Sequence, residues 1–254
     1  MKPKYLLAIS IGLIVILLLG VAGFVWWQNG FEDYLPIRGN QVAVGLVPKD
    51  GVYLSARYYP APGKVASRGV VLMHQYNSSQ NAWNDFAAEL QDRGFAVMTF
   101  DWPGHGDSSG DLASLTEQDY EAFPTYAAEA IEYLRDINAD MEIAVVGGGL
   151  GANAAMQLAD QDGSVAAVLM VSPQNNYRGI KINGINKKFT RPVFYLVSRA
   201  DTVSLTATES LYKNSPSTQK ELRIAEEANG RGTKLLRHAP KIRSAMIDWL
   251  EEVI

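Results

Sequence analysis

From residue 41 onward, short apolar runs alternate with segments of helical periodicity, and this alternation limits the folds that the chain can adopt. The runs Gly69–His74 and Val165–Val171 are almost wholly apolar, which is typical of strands buried on both faces of a parallel sheet. An Asp-Gly turn near the start of the segment indicates an initial hairpin. The order predicts an α/β domain over residues 41–254, with a mostly parallel sheet of about eight strands and helices on both faces.

The remaining elements follow from the same two periodicities. The other predicted strands are Val42–Val47, Tyr53–Tyr59, Ala96–Phe100, Glu142–Val146, Pro192–Val197 and Glu221–Ala225. The predicted helices are Ala82–Arg93, Asp119–Ile137, Ala152–Ala159, Ala207–Lys213 and Pro240–Val253.

The N-terminal segment Tyr5–Trp27 contains no charged residue. At about 1.5 Å per residue, a helix of this length spans roughly 34 Å, which exceeds the ~30 Å hydrocarbon core of a bilayer. We therefore predict one transmembrane anchor helix over residues 5–27, in contact with membrane lipid. A cleaved signal peptide is the alternative, with the small residues Val21-Ala22-Gly23 as its cleavage site. The long apolar run, which continues to Trp27, favours the anchor.

The charges that flank this segment predict its orientation. Two lysines precede it and two acidic residues follow it, so the positive-inside rule places residues 1–4 in the cytoplasm. Residues 28–40 are polar, include glycine and proline, and are typical of a linker. The prediction is a single-pass protein of the cell membrane whose globular domain, residues 41–254, is extracytoplasmic.

The composition argues against several classes of partner. The formal net charge is −4, which gives the chain no electrostatic reason to bind nucleic acid. Cysteine is absent, so disulfides, cysteine metal sites and a thiol nucleophile are excluded. The three histidines show no spacing typical of metal ligands. We expect no metal, no cofactor and no nucleic acid, and a possible protein partner within a membrane complex.

Five segments carry motifs in a recognisable order: Val71–Gln75, Phe100–Ser108, Val145–Gly151, Val197–Asp201 and Gly230–Thr233. Together they resemble the α/β-hydrolase superfamily, and its small dienelactone-hydrolase-like members in particular. The first stands where that family has a strand ending in His-Gly at the oxyanion loop, and the second where it has an Asp-x-x-Gly-His-Gly-x-Ser turn. The third stands at the Gly-x-Ser-x-Gly nucleophile elbow, the fourth at the acid of the triad, and the last at the His-Gly that contains the triad histidine. The resemblance covers essentially the whole domain and implies its fold.

The resemblance also implies a degenerate catalytic triad. Gly149 stands in the nucleophile position, Arg231 in the histidine position, and Asp201 matches the acid. Glycine relieves the strain of the elbow turn once no hydroxyl is required, and arginine cannot accept a proton because it is always charged. Arginine can donate a fork of hydrogen bonds to a carboxylate, so we predict an ion pair between Arg231 and Asp201. Enzyme activity is left uncertain, and a pseudoenzyme is favoured.

A vestigial pocket and a structural turn are implied by the same resemblance. Hydrolases of this fold often carry a lid where this chain has only Ser172–Arg191, so we expect a loop or one short helix there, no cap domain and an open pocket. The expected vestigial oxyanion and pocket residues are His74, Gln75, Tyr76, Trp102 and Leu150. The expected structural turn consists of Asp101, Gly104, His105 and Gly106.

The leading interpretation is a non-catalytic binding or accessory subunit of a membrane assembly. A membrane-anchored carboxylic ester hydrolase or lactonase is the second, with Ser78, Ser79 or Ser108 as a relocated nucleophile. The third is a small-ligand or anion-binding module, because free N–H groups at the start of the helix after Gly149 attract anions. The same turn fits the loose form of the dinucleotide-binding fingerprint. That fingerprint normally opens the first strand–helix unit and is followed by an acidic residue at the end of the next strand. Here the turn lies in the middle of the sheet and the next strand ends without an acid, so nucleotide binding is disfavoured.

Overall fold

The computed structural model describes residues 38–63, 66–226, 228 and 230–254. The chain divides into two compact units after Pro36, and the second of them holds every described residue. The predicted anchor, the segment before it and most of the predicted linker therefore lie outside the described residues. Within the described ranges, no helix has both the length and the apolar character needed to cross a bilayer.

The described part of the chain contains ten strands and seven α-helices. The strands are β1 Val42–Leu46, β2 Leu54–Tyr59, β3 Arg68–Met73, β4 Ala96–Phe100, β5 Glu142–Gly148, β6 Val165–Val171, β7 Asn176–Tyr177, β8 Ile180–Lys181, β9 Val193–Ser198 and β10 Lys220–Ala225. The helices are α1 Asn84–Asp92, α2 Glu117–Glu121, α3 Phe123–Ile137, α4 Leu150–Gln161, α5 Asn183–Asn186, α6 Thr202–Asn214 and α7 Pro240–Val253. Short 3-10 helices span Gln80–Trp83, Leu112–Ser114 and Gly232–Leu236.

Eight of the strands form one sheet in the order β1-β2-β4-β3-β5-β6-β9-β10. The first two pairings, β1 with β2 and β2 with β4, are antiparallel, and all the other neighbours in this sheet run parallel. Strands β7 and β8 form a separate antiparallel hairpin. The structure thus confirms the mostly parallel sheet of about eight strands that begins with a hairpin.

Strand β3 shows how the sheet separates two hydrophobic cores. Val71 and Met73 belong to a core that includes apolar side chains of α3 and α4. Val70 and Leu72 point the other way, into a second core that includes side chains of α1 and α7. Because successive side chains of a strand alternate between faces, a strand covered on both faces must be apolar at nearly every position. This explains the uninterrupted apolar runs in the sequence.

The structure corrects two predicted elements. The helix expected over Asp119–Ile137 is two helices: Thr116 and Asp119 form a capping box at the start of α2, and Pro124 lies in the first turn of α3. Proline has no N–H to donate and is favoured at a helix start, so a new helix begins there. The segment Ser172–Arg191 is also more structured than a loop or one short helix, because it contains the β7–β8 hairpin as well as α5.

Candidate functional site

The turn between β5 and α4 has the shape of a nucleophile elbow without a side chain at its apex. Gly149 separates the two elements with φ 52° and ψ −112°, a region that glycine enters freely and other residues only under strain. Its N–H donates to the Val171 carbonyl at 2.8 Å, and its own carbonyl accepts from the Ala152 N–H at 3.1 Å. The strained strand-to-helix turn of the hydrolase elbow is therefore retained, and the hydroxyl is missing.

Two neighbouring glycines allow this turn to be tight. A Cβ atom on Gly147 would overlap the backbone of Gly151, and a Cβ atom on Gly151 would overlap the Met73 carbonyl. Helix α4 can begin directly against β3 and β5 only because both positions lack a side chain. The glycine-rich sequence is thus explained by close backbone approach within the elbow.

Arg231 and Asp201 form the predicted ion pair. Arg231 Nε lies 3.1 Å and 3.2 Å from the two carboxylate oxygens of Asp201, and Arg231 Nη2 donates to Asp201 Oδ1 at 2.8 Å. The Asp201 side chain is 3% exposed and that of Arg231 is 40% exposed. Asp201 Oδ1 also accepts the Ser204 N–H at 3.2 Å and so caps the start of α6. Its carboxylate is thereby fully engaged in structural contacts.

The charges of this pair are mutually stabilised. Burial acts to raise the pKa of the Asp201 carboxyl, but the hydrogen bonds from Arg231 and Ser204 outweigh it and hold that pKa below its usual value. The hydrogen bond from Asp201 raises the pKa of Arg231 further above its already high value. Where the resemblance requires a proton acceptor, the structure has a cation that keeps its proton.

The space in front of Gly149 is occupied by Gln75 and Tyr177. A Cβ atom on Gly149 would lie 3.2 Å from Gln75 Cβ and 3.7 Å from Tyr177 Cε2, and one on Gly232 would overlap Gln75 Oε1. Gln75 is only 8% exposed, and its Oε1 has no hydrogen-bond partner within the described ranges. Gln75 therefore lies beside both glycines, next to the position of a nucleophile side chain, and the openness of the pocket stays a prediction.

The β7–β8 hairpin that carries Tyr177 is held in place at both ends. Asn153 of α4 donates to the carbonyls of Gln174 and Ile180, each at 2.8 Å, and accepts the Gln174 N–H at 3.1 Å. At the hairpin turn, the Arg178 guanidinium lies 3.7 Å from the centre of the Tyr76 ring, a cation–π contact. Tyr177, Asn153 and Arg178 were not among the predicted site residues.

Three of the predicted pocket residues do not line a pocket. His74, Trp102 and Leu150 are fully buried. His74 Nδ1 donates to the Gln75 carbonyl at 2.8 Å, and His74 Nε2 accepts the Trp102 N–H at 3.1 Å. Burial, together with the neighbouring His105, lowers the pKa of His74 well below its usual value. His74 is therefore a neutral, satisfied core group, and of the predicted lining Tyr76 and the edge of Gln75 reach the surface.

The predicted structural turn makes contacts within the core. Asp101 accepts the Gln80 N–H at 2.6 Å and the Gln80 side-chain amide at 2.9 Å. His105 Nδ1 donates to the Pro103 carbonyl at 3.0 Å, and burial lowers the pKa of His105. A Cβ atom on Gly106 would overlap the Asp101 carboxylate, and one on Gly104 would press on the Leu112 backbone. These contacts are those of a structural turn.

Ser108, one of the candidates for a relocated nucleophile, is poorly placed for that role. Ser108 Oγ donates to the Asp101 carbonyl at 2.7 Å and accepts the Ser55 N–H at 2.9 Å, so it bonds to backbone. His74 has no free ring nitrogen, and His238 is exposed at the start of α7. Over the ranges that the structure describes, no three His, Cys, Asp or Glu side chains are grouped so that they could hold a metal ion.

Comparison with known protein families identifies the fold. The family model described as alpha/beta hydrolase fold matches residues 69–203, more than half of the chain. The protein belongs to the α/β-hydrolase superfamily. No curated protein matches the sequence. The narrower resemblance to dienelactone-hydrolase-like members stays a prediction.

Solved structures of esterases share the architecture at low sequence identity. An esterase of Pyrococcus furiosus superposes with a TM-score of 0.72 at 17% identity, over 85% of this chain and 91% of that one. Est1E of Butyrivibrio proteoclasticus, solved with ferulic acid bound, gives 0.71 at 14% identity, over 83% and 99% of the two chains. A cold-adapted esterase from an Arctic intertidal metagenomic library gives 0.65 at 20% identity, over 84% and 94%. At such identities the likeness concerns the fold.

Proposed function

We propose that this protein is a non-catalytic, membrane-anchored α/β-hydrolase that acts as a binding or accessory subunit of a membrane assembly. The observation that carries the proposal is the elbow itself. Gly149 holds the strained backbone that presents a nucleophile in this fold, but it has no atom that can attack. The backbone geometry of the elbow is present and its reacting group is not.

The loss of the base supports the same conclusion. Arg231 contacts Asp201 as a histidine base would, yet a guanidinium cannot take a proton from an attacking hydroxyl. In subtilisin, removal of either the serine or the histidine alone lowers kcat by about six orders of magnitude. Gln75 adds a third obstacle, because its Cβ would lie 3.2 Å from the Cβ of any nucleophile at position 149.

The membrane location rests on the uncharged segment of residues 5–27 and on the charges around it. An anchor helix and a globular domain give such a protein two surfaces for one partner in the same membrane. Because the domain keeps an intact hydrolase fold around an inert centre, its contribution is binding through its surface rather than turnover.

The esterase alternative is tested directly with the full chain in lipid nanodiscs. We expect hydrolysis of p-nitrophenyl acetate no faster than with empty nanodiscs. The matched variants Ser78→Ala, Ser79→Ala and Ser108→Ala should leave that background unchanged. Activity above background that one of these substitutions abolishes would establish a relocated nucleophile and overturn the proposal.

The accessory role is tested by native mass spectrometry of the full chain extracted from its own membrane. We expect one stable partner at fixed stoichiometry. A matched chain in which residues 5–27 are replaced by an unrelated transmembrane helix should keep that partner if the domain contributes to binding. A protein that runs alone, is inert and is stabilised by a small ligand would instead support the ligand-binding alternative.

A further inference from the structure

A second concave site lies at the edge of the domain, between the end of β10 and the start of α7. Its volume is about 810 Å³, within the range of small-molecule sites. Its walls include Ala225, Leu235, Ala239 and Ile242. The first three are buried, and Ile242 packs on the second core. None of these residues belongs to the elbow or to the Arg231–Asp201 pair, so this site is independent of the degenerate active site.

Basic side chains lie on the described part of this pocket's rim. Lys234, His238 and Lys241 line it and are exposed. Among the described lining residues the one acid is Glu226, which accepts hydrogen bonds of 2.7 Å and 3.1 Å from Arg199. Arg199 also lies 3.9 Å from Glu209. Two lysines are thus left facing an apolar pocket with no compensating carboxylate in its described lining.

The start of α7 adds to this positive potential. The helix spans 14 residues from Pro240, and its N-cap residue, Ala239, makes no side-chain cap hydrogen bond. An alanine side chain has no acceptor to offer the first turn, where Pro240 has no N–H and the Ile242 N–H donates to the Ala239 carbonyl at 3.0 Å. The positive end of the helix dipole therefore acts in the same direction as Lys241 and favours an anion.

We propose that this pocket binds a single-chain anionic amphiphile, of the class of fatty carboxylates. The carboxylate contacts Lys234 and Lys241 beside the start of α7, and the acyl chain packs along Ile242 and the accessible edges of Ala225 and Ala239. A small anion would leave the apolar walls wet, and a neutral lipid would leave both lysines unpaired. This binding role goes beyond the proposed function and does not depend on the absence of catalysis.

Equilibrium dialysis of radiolabelled decanoate against the full chain in lipid nanodiscs tests the proposal, with empty nanodiscs to subtract partition into the bilayer. We expect saturable binding of one decanoate per chain. The double substitution Lys234→Gln/Lys241→Gln should weaken it about tenfold or more, because it removes two charge-assisted contacts. Butyrate should bind far more weakly than decanoate, since each buried methylene raises the affinity about fourfold. Decanol should also bind more weakly, because it has no charge to pair with the lysines.

The matched control is Lys187→Gln/Lys188→Gln, which removes two exposed lysines outside this pocket and should leave decanoate binding unchanged. Ile242→Asp should abolish binding, with thermal unfolding recorded to confirm that this variant remains folded. Uptake no greater than that of empty nanodiscs would overturn the proposal. The proposal would also be overturned if Lys187→Gln/Lys188→Gln weakened decanoate binding as much as Lys234→Gln/Lys241→Gln. Equal effects would show that decanoate is attracted by the net charge alone. Neither result depends on the esterase assay.

Discussion

Replacing Arg231 with methionine removes the group that compensates a buried carboxylate and keeps a side chain of similar length. Three contacts from Arg231 to Asp201 are lost, and within the described ranges the Ser204 N–H is the donor left to that carboxylate. Breaking a fully buried pair costs about 3–5 kcal/mol. Water can replace some of the hydrogen bonds that the Asp201 carboxylate loses, because the Arg231 side chain is 40% exposed. We therefore expect the free energy of unfolding to fall by about 1–2 kcal/mol.

Urea unfolding of the full chain in a mild non-ionic detergent, followed by tryptophan fluorescence, measures this loss. A double-mutant cycle with Asp201→Asn should give a coupling energy of about 1 kcal/mol. The pH dependence has a defined sign. Because the folded-state pKa of Asp201 is held below the unfolded value of about 3.9, the contribution is complete above about pH 4 and is lost as the pH falls through the folded-state pKa.

The difference between the native chain and Arg231→Met should accordingly shrink in acid. Equal stability of the two proteins at neutral pH, within about 0.3 kcal/mol, would refute the assignment of Arg231 as the compensating charge. A difference that persists unchanged far below the folded-state pKa of Asp201 would refute the electrostatic reasoning. It would point instead to packing of the Arg231 stem.

Three further outcomes are expected. Gly149→Ser should lower the free energy of unfolding by about 1–3 kcal/mol, because its φ of 52° strains a non-glycine residue, and should give no ester hydrolysis while Arg231 remains. Burial lowers the pKa values of His74 and His105, so stability should fall as the pH drops below the unfolded histidine value of about 6.5; urea unfolding of His74→Gln should show a shallower pH dependence. Asn153→Ala should cost about 2 kcal/mol and, in limited proteolysis with chymotrypsin, speed cleavage of the β7–β8 hairpin, because its three hydrogen bonds to the hairpin ends are lost.

The fold could be predicted from the sequence because its signals are local. The strand Val165–Val171 and the helix Pro240–Val253 have the bounds that the sequence indicates. An apolar run of strand length marks the first, and a proline at the first helical position marks the second. The contact between Arg231 and Asp201 was also predictable, because the resemblance places both at one edge of the sheet.

The side chains that lie close to Gly149 could not be predicted in the same way. Gln75, Tyr177 and Gly232 belong to three segments that are distant in sequence, and no periodicity states where the Gln75 amide or the Tyr177 ring will lie. The burial of His74 posed the same difficulty, because a histidine at a strand end can face a pocket or the core. The hydrogen bond from the Trp102 N–H decides between them, and it is visible only in the structure.

The three changes at this site support one another physically. A hydrolase that had lost only its serine would keep an open oxyanion space and a histidine paired with its acid. In this protein Gln75 and Tyr177 lie close to Gly149, Asn153 holds the β7–β8 hairpin that carries Tyr177, and Asp201 is paired with Arg231. A Cβ atom at position 149 would already lie 3.2 Å from Gln75 Cβ. This crowding supports the proposal of a function carried by the surface of the domain and by the pocket beside α7.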